Sequence, residues 1–425
     1  MSVLTDPPKQ SFRLSQLLYD TRYRSITIQV VAGLLILAGI GWLVNNTINN
    51  LAALGKDFDF GFLGSAAGYD INQRLVEYNS QMTHGRAAFV GILNTLLVAF
   101  LGCITATVLG VIAGVLRLSK NWVVNKLMAV YVEGFRNVPL LLWIILIFAV
   151  VTESTPRPNE FRGETPTASM VLADSVAVTN RGTYIPRIGF TNSLSGNENV
   201  ASQEGTTAVA SGGLDWLLIF GVLAISIFVI RTLTNRANLI QQQTGIRPNT
   251  RWTNLAILII PVAIVLLFLG ATIVKPYLKG FNFTEGVHLR NSLIALWLAL
   301  SVYTGAFIAE NVRAGILAVS KGQTEAASAL GLQPNRTMNL VVLPQAMRVI
   351  IPPLISQYLN LTKNSSLAIA VGYMDVRATL GGITINQTGR ELEGMLMLGL
   401  FYLTLSLLIS GAMNLYNNST KLAER

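Results

Sequence analysis

Cysteine and histidine are almost missing from this chain of 425 residues: Cys103 is alone, and His84 and His288 are the two imidazoles. One thiol excludes an intrachain disulfide, and its position inside an apolar run points to a buried structural role. Two distant histidines and one cysteine leave no cluster with metal-ligand spacing, so no metal site is expected, and no spacing suggests a Ser-His-acid nucleophile. Charge is scarce too, at 12% of residues against 52% hydrophobic, whereas about a quarter of a soluble domain is charged. The run Gly-x-x-x-x-Gly-Lys-Ser/Thr does not occur, so the chain lacks a phosphate-cradling loop of its own.

What the sequence has instead is long apolar runs, with a mean hydropathy of +0.51. Eight of them approach the ~20 residues a membrane-crossing helix needs. They lie near 26–44, 88–116, 122–152, 214–230, 254–274, 289–312, 341–361 and 395–413, which predicts an all-α polytopic membrane protein. Glu133, Arg136 and Pro139 interrupt the third, and Arg348, Pro352 and Pro353 interrupt the seventh. The polar start, Met1 to Tyr23, leads into a full-length span with no small-residue cleavage pattern, as an uncleaved first helix would.

An even number of spans puts both termini on one side. The segments 1–25, 117–137, 231–253, 313–340 and 414–425 hold 17 Lys and Arg in 109 positions, with Asp6, Asp20, Glu133, Glu325 and Glu424 as their only acids. The alternate segments 45–87, 153–213, 275–290 and 362–394 hold 13 in 153, with 14 acids. The positive-inside rule therefore predicts cytoplasmic termini. The net charge of +10 reads as a topology signal toward anionic lipid, not as a nucleic-acid footprint. Arg231, Arg236, Arg247 and Arg251, with no acid between them, are its clearest stretch.

Hydropathy divides the chain into 1–87, one span plus an outer loop rich in Gly, Phe and Asp; 88–152, a helical pair; 153–213, an extracytoplasmic insertion; 214–274, a further helix pair; and 289–413. Gly110-x-x-x-Gly114 in the first pair suits either close helix approach or simple tolerance of glycine in a membrane helix. The insertion is dominated by Ser, Thr, Asn, Gly and Glu, with 183–190 as its only strand-like patch. It suits either docking of a substrate-delivery protein or passive decoration.

The loop at 320–344 carries its own helix signals. Ser320-Lys321-Gly322-Gln323 reads as a capping box, and Gln323, Ala326, Ala327 and Leu330 fall on one side at helical spacing. Gly331 suits a left-handed stop, and Pro334 is expected to prevent resumption. So short a helix is unstable unless it docks on something. It is either an ordinary surface helix or a lever for a partner.

Glu325-Ala326-Ala327, then Gly331, then Val341-Val342-Leu343-Pro344 resembles the EAA loop of bacterial ABC importer permeases, with Val341 in place of the usual Ile. The order Gly91 to Leu96, Arg117 to Asn121 and Tyr131 to Leu141, then Gly305 to Ile316, Leu343 to Ala346 and Lys363 to Leu367, is similar to polar amino-acid permeases. Phe62-Leu63-Gly64 and 67–71 narrow the resemblance to the Q-type permease of general L-amino-acid transporters. It implies the transmembrane domain of a type I importer in the bacterial inner membrane, surrounded by lipid. Two permeases would sit on two ABC ATPase subunits, which hold the ATP and Mg, while this chain carries no cofactor. An extracytoplasmic amino-acid-binding protein would deliver substrate, and the second permease is usually a distinct M-type chain. Glu325, Ala326, Ala327, Gly331, Leu343 and Pro344 would then couple to the ATPase.

Inside the membrane, Glu310 is the most telling ionisable residue. With Arg313 three residues on, it is either a structural ion pair or a contact for a substrate ammonium group. Asn364, Ser365 and Ser366 follow a span broken at Pro352-Pro353; they either face an aqueous path or cap a helix. Glu133 and Arg136 suggest a headgroup-level pair. The alternative class is an ion-coupled secondary carrier, for which inverted repeats and mid-span charges beyond Glu310 and Arg348 are wanting. Nothing points to an enzyme or to a nucleic-acid partner.

Overall fold

The computed structural model describes residues 21–420 apart from 54, 56, 57, 164, 197, 203, 204 and 211. The predicted cytoplasmic tail with Asp6 and Asp20, and Glu424 at the other terminus, lie outside the described residues. Ten longer helices follow in order: α1 Thr21–Ala53, α2 His84–Leu116, α3 Trp122–Asn137, α4 Leu140–Glu153, α5 Gly213–Thr244, α6 Arg251–Phe268, α7 Asn291–Leu317, α8 Lys321–Ala329, α9 Leu343–Asn364 and α10 Glu391–Thr420. Eight helical stretches among the described residues are long and apolar enough to cross a membrane, in the eight places predicted.

Two proline expectations need correcting. The third run is not one helix: Val138 is extended, at φ −109° and ψ 135°, and separates α3 from α4. A residue before proline is driven out of the helical region by the ring of Pro139. The seventh span, by contrast, is not broken, because α9 continues through Pro352 and Pro353. The surrounding helices hold its shape there despite the two missing amide donors.

The centre of the bundle is α2 against α7, which run parallel: Gly110 meets Gly305 and Ile308, and Gly114 meets Ala309 and Val312. A β-carbon built on Gly110 falls 2.6 Å from Ile308 Cβ, and one on Gly114 falls 2.6 Å from the Ala309 carbonyl oxygen. The glycine pair therefore serves close approach. Val98, Ala106, Leu296, Leu300, Ile308 and Leu361 are fully buried around this contact. α3 joins it through the Tyr131 hydroxyl, which donates to the Val302 carbonyl at 2.7 Å.

The polar insertion is more ordered than its composition predicts. Instead of one strand-like patch it holds β1 Ala177–Thr179, β2 Gly182–Ile185, β3 Arg187–Phe190, β4 Glu198–Ser202 and β5 Gly205–Val209. Pro186, which has no amide donor, divides the predicted patch into β2 and β3. The segment before α7 supplies β6 Ala271–Val274, β7 Tyr277–Lys279, β8 Asn282–Thr284 and β9 Val287–Leu289. β2 pairs with β1 and with β9, where Tyr184 faces His288. β3 pairs with β6, from Arg187 opposite Val274 to Phe190 opposite Ala271. Both ends of the α5–α6 pair thus enter one ladder, and Phe190, Ile219 and Leu269 pack beneath it with Trp216 and Val262.

Candidate coupling loop and inner network

α8 is built by its ends. Ser320 occupies the N-cap position, but its side chain makes no capping bond, so the predicted capping box does not form. The Gln323 side chain is engaged elsewhere, its carbonyl accepting from Gln345 Nε2 at 3.4 Å. At the other end Gly331 has φ +76°. Leu332 N donates to the Ala327 carbonyl at 3.1 Å and Gly331 N to that of Ser328 at 2.9 Å, the paired bonds of a Schellman stop. Pro334 does not keep the chain from turning helical again. It opens the single turn Pro334–Thr337, because the first helical position needs no amide donor. A wide π turn, Met338–Val342, then runs into α9, with Leu343 and Pro344 in its first turn.

The predicted face is split by this geometry. Gln323, Ala326 and Leu330 of that face are exposed, Leu330 82%, as is Glu325, whereas Ala327 is only 4% exposed and packs inside the chain. Glu325 makes no ion pair among the described residues. Leu340 and Leu343 extend the outward apolar surface beside it. Gln323 and Gln345 join α8 to the membrane helix behind it.

Glu310 is bound by two guanidinium groups, Arg117 at the end of α2 and Arg313 at 3.0 Å. Arg117 also lies 3.9 Å from Glu133, and its carbonyl accepts from Asn125 Nδ2. The predicted Glu133–Arg136 pair is replaced: Glu133 turns to Arg117, and Arg136 sits over the Phe307 ring at 5.2 Å. Arginine stacks readily on an aromatic face. Two carboxylates and two guanidinium groups balance each other at this end of the bundle. Arg117 was the member that sequence spacing missed, since it lies 193 positions from Glu310.

At the opposite end, Ser365 is fully buried and its hydroxyl donates to the Thr362 carbonyl at 2.7 Å. Ser366 does the same toward Lys363 at 2.7 Å, and Asn364 is half-buried. Both hydroxyls thus serve the end of α9. The chain turns through the 3-10 segment Ser365–Val371 and stops at Gly372, φ +70°.

Asp375, which sequence reasoning passed over, sits beside this stop with no exposure. Its Oδ1 accepts from Ala378 N at 2.8 Å, and its Oδ2 has no partner. Burial pushes its carboxyl up to about 7, against the lowering effect of backbone donors and Arg377. It rests on α2, where Thr95 Oγ1 accepts from Val376 N at 3.1 Å and Asn94 Nδ2 donates to the Met374 carbonyl at 2.8 Å. The sequence signal was an acid before Val376-Arg377-Ala378, in capping position.

Residues 246–421, which enclose the whole Glu325–Pro344 loop, match the family described as binding-protein-dependent transport system inner membrane component. Over its entire length the chain is 56% identical to the glutamate/glutamine/aspartate/asparagine transport system permease protein BztB of Rhodobacter capsulatus, all of which is covered. The chain belongs to the amino-acid ABC transporter permeases. It is 42% identical to the general L-amino acid transport system permease protein AapQ of Rhizobium johnstonii, over 98% of this chain and 96% of that one. To the putative amino-acid ABC transporter permease protein YhdX of Escherichia coli it is 40% identical, over 95% of each. This permease is thus a membrane component of an amino-acid importer in the bacterial inner membrane, a family that works with ATPase and binding-protein subunits. Full-length likeness to ABC permeases leaves the secondary-carrier alternative without support.

Proposed function

We propose that α8 is the surface through which ATP hydrolysis on a partner subunit drives this permease. Glu325 and Ala326 meet the ATPase, Ala327 anchors the helix to its own chain, and Gly331, Leu343 and Pro344 set its angle to α9. ATP and Mg bind the partner, and this chain has no ATPase site of its own. The α8 end and both termini face the cytoplasm, and the strand-rich end faces the binding protein. The second permease is a distinct M-type chain, forming a heterodimer. The cargo is the set named for the similar permease BztB: glutamate, glutamine, aspartate and asparagine. Glu310 holds the inner end together, while Asn364, Ser365 and Ser366 border the path near its outer end.

The observation that carries this reading is the joint geometry of α8. Its outward side offers Glu325, Ala326 and Leu330, while the Schellman stop and the Gln345–Gln323 bond tie it to a membrane helix. A push on α8 is transmitted because a helix closed at its end moves as one piece. Gly331→Val, which forces a β-branched residue to positive φ, and Glu325→Lys are expected to abolish uptake in proteoliposomes while the complex still assembles in the membrane. Ala326→Cys should cross-link to the ATPase. Normal uptake in both variants, or no cross-link to a nucleotide-hydrolysing subunit, refutes the coupling role.

A further inference from the structure

The end of the α5–α6 pair away from the strands carries a charge that its own sequence does not balance. Arg231, Arg236, Arg247 and Arg251 are gathered there, and no Asp or Glu occurs from 216 to 284. None of the four makes an ion pair among the described residues. Arg247 and Arg251 line one cavity of about 390 Å³ with Thr234 of α5 and Asn249 and Thr250 of the connecting loop, and no acid lines it. That loop is shaped by its own bonds. α5 stops at Gly245, φ +72°, Ile246 N donates to Thr244 Oγ1 at 3.3 Å, and Arg251 N donates to Asn249 Oδ1 at 3.3 Å. Two like charges held beside one space repel, and an anion placed between them turns that cost into attraction.

Depth in the membrane selects the anion. α5 begins just after Ala210, which bridges to Phe190, and α6 ends at Phe268 just before β6, so both helices run from the ladder. The stretch from Gly213 to Arg231 covers ~27 Å, and the 18 residues of α6 cover ~27 Å, at ~1.5 Å per residue. Each is close to the ~30 Å of a hydrocarbon core. Arg231 and Arg251 therefore stand where the headgroups begin, and the cavity lies at that level. Trp252 and Ile246, next to the two cavity arginines in sequence, are 78% and 75% exposed, and tryptophan is favoured at this interface. Phe228, Ile259 and Ile260 continue the exposed apolar surface along both helices. Acyl chains cover such a surface, and a free phosphate ion does not.

We infer that this cavity is a binding site for the phosphate headgroup of an anionic phospholipid from the surrounding leaflet. Arg247 and Arg251 donate to the phosphate oxygens, the charge-assisted bonds that guanidinium groups make best. The Thr250 hydroxyl, which makes no capping bond, adds a donor. Thr234 forms part of the wall, its own hydroxyl already donating to the Ile230 carbonyl at 2.8 Å. The acyl chains lie along the exposed apolar sides of α5 and α6. On the side that the Lys and Arg distribution makes cytoplasmic, such lipids give the leaflet its negative charge. The site shares no residue with α8 and stands whether or not α8 couples to an ATPase.

The test is native mass spectrometry of the complete permease–ATPase complex, delipidated in detergent and titrated with dioleoylphosphatidylglycerol or with dioleoylphosphatidylcholine, whose choline sets a further cation beside the two guanidinium groups. The anionic lipid should bind at least about tenfold more tightly than the zwitterionic one. Arg247→Gln/Arg251→Gln should weaken it at least about tenfold. The control Arg231→Gln/Arg236→Gln removes the same charge from side chains that do not line the cavity, and should weaken it less than about threefold. All four residues are exposed, so the melting temperature of each complex in phosphatidylcholine should match wild type. Equal affinity for the two lipids, equal loss in the two double variants, or displacement by inorganic phosphate as complete as by phosphatidylglycerol overturns the site. If Arg247→Gln/Arg251→Gln releases the ATPase while lipid affinity stays at the wild-type value, the arginines meet a protein and the inference is equally overturned. Glu325→Lys should leave lipid binding intact. Failure of the coupling role thus appears in uptake and cross-linking alone, separately from failure of this site.

Discussion

Arg117, the residue that caps the end of α2, reaches the carboxylate of Glu310 about two turns before the end of the facing α7. The pair fastens the ends of the two central helices just before α7 leads into α8. With the Arg117 side chain 12% exposed and that of Glu310 28%, it lies between a surface pair, worth ~0–1 kcal/mol, and a buried one whose breakage costs ~3–5 kcal/mol. Arg117→Gln should therefore destabilise by about 2 kcal/mol, read as a lower melting temperature of the purified complex. The double variant Arg117→Gln/Glu310→Gln should lose less than the sum of the two single variants, because both remove the same Arg117–Glu310 bond. Strictly additive losses would show that the pair is not what holds this end.

Close packing of α2 on α7 gives a second expectation. A β-carbon at Gly114 meets the Ala309 carbonyl at 2.6 Å and Val312 Cβ at 2.9 Å, whereas one at Gly134 meets nothing within 4 Å. Gly114→Ala should cost about 1–3 kcal/mol through overpacking. Gly134→Ala should be neutral or slightly stabilising, since alanine is the better helix former. Comparing the two melts in one complex checks this, and equal effects would contradict the contact.

Asp375 predicts a pH dependence. Its carboxyl stands at about 7 in the folded chain against 3.8 when free, so the folded state binds a proton that the unfolded state has lost. Stability should fall as pH rises from about 4 to about 7 and level off above. Asp375→Asn keeps the cap on Ala378, because asparagine caps as well, and removes the titration. Its melting temperature relative to wild type should be near zero difference at about pH 4 and clearly higher at about pH 8. A constant difference across that range would mean that Asp375 does not titrate there.

The membrane helices were legible because lipid demands long apolar runs, and those runs survive any arrangement of the helices. The stop at Gly331 was legible because a positive-φ position selects glycine. Partners distant in sequence were not legible: Glu310 gives no sign that Arg117 is its counter-charge, and Glu133 seemed matched to Arg136 because they lie one turn apart. The patch at 183–190, which holds most of β2 and all of β3, was legible as strand, but its partners were not, because β3 pairs with β6, more than eighty residues on. Ala327 read as part of an outward face since helical spacing fixes which residues share a side, not which way that side points. Asp375 was passed over because its burial comes from α2, where Thr95 accepts from Val376 N, and no local pattern reports that.

The ladder from Arg187–Val274 to Phe190–Ala271 makes the α5–α6 pair an excursion that returns to its starting point. Rejoining Phe190 to Ala271 by a tight turn would delete both helices, and β4 and β5 with them, without rerouting any other part of the backbone. The pair thus leaves and re-enters the rest of the chain at a single doorway, so its lipid-facing flanks can vary without changing how the other helices are threaded.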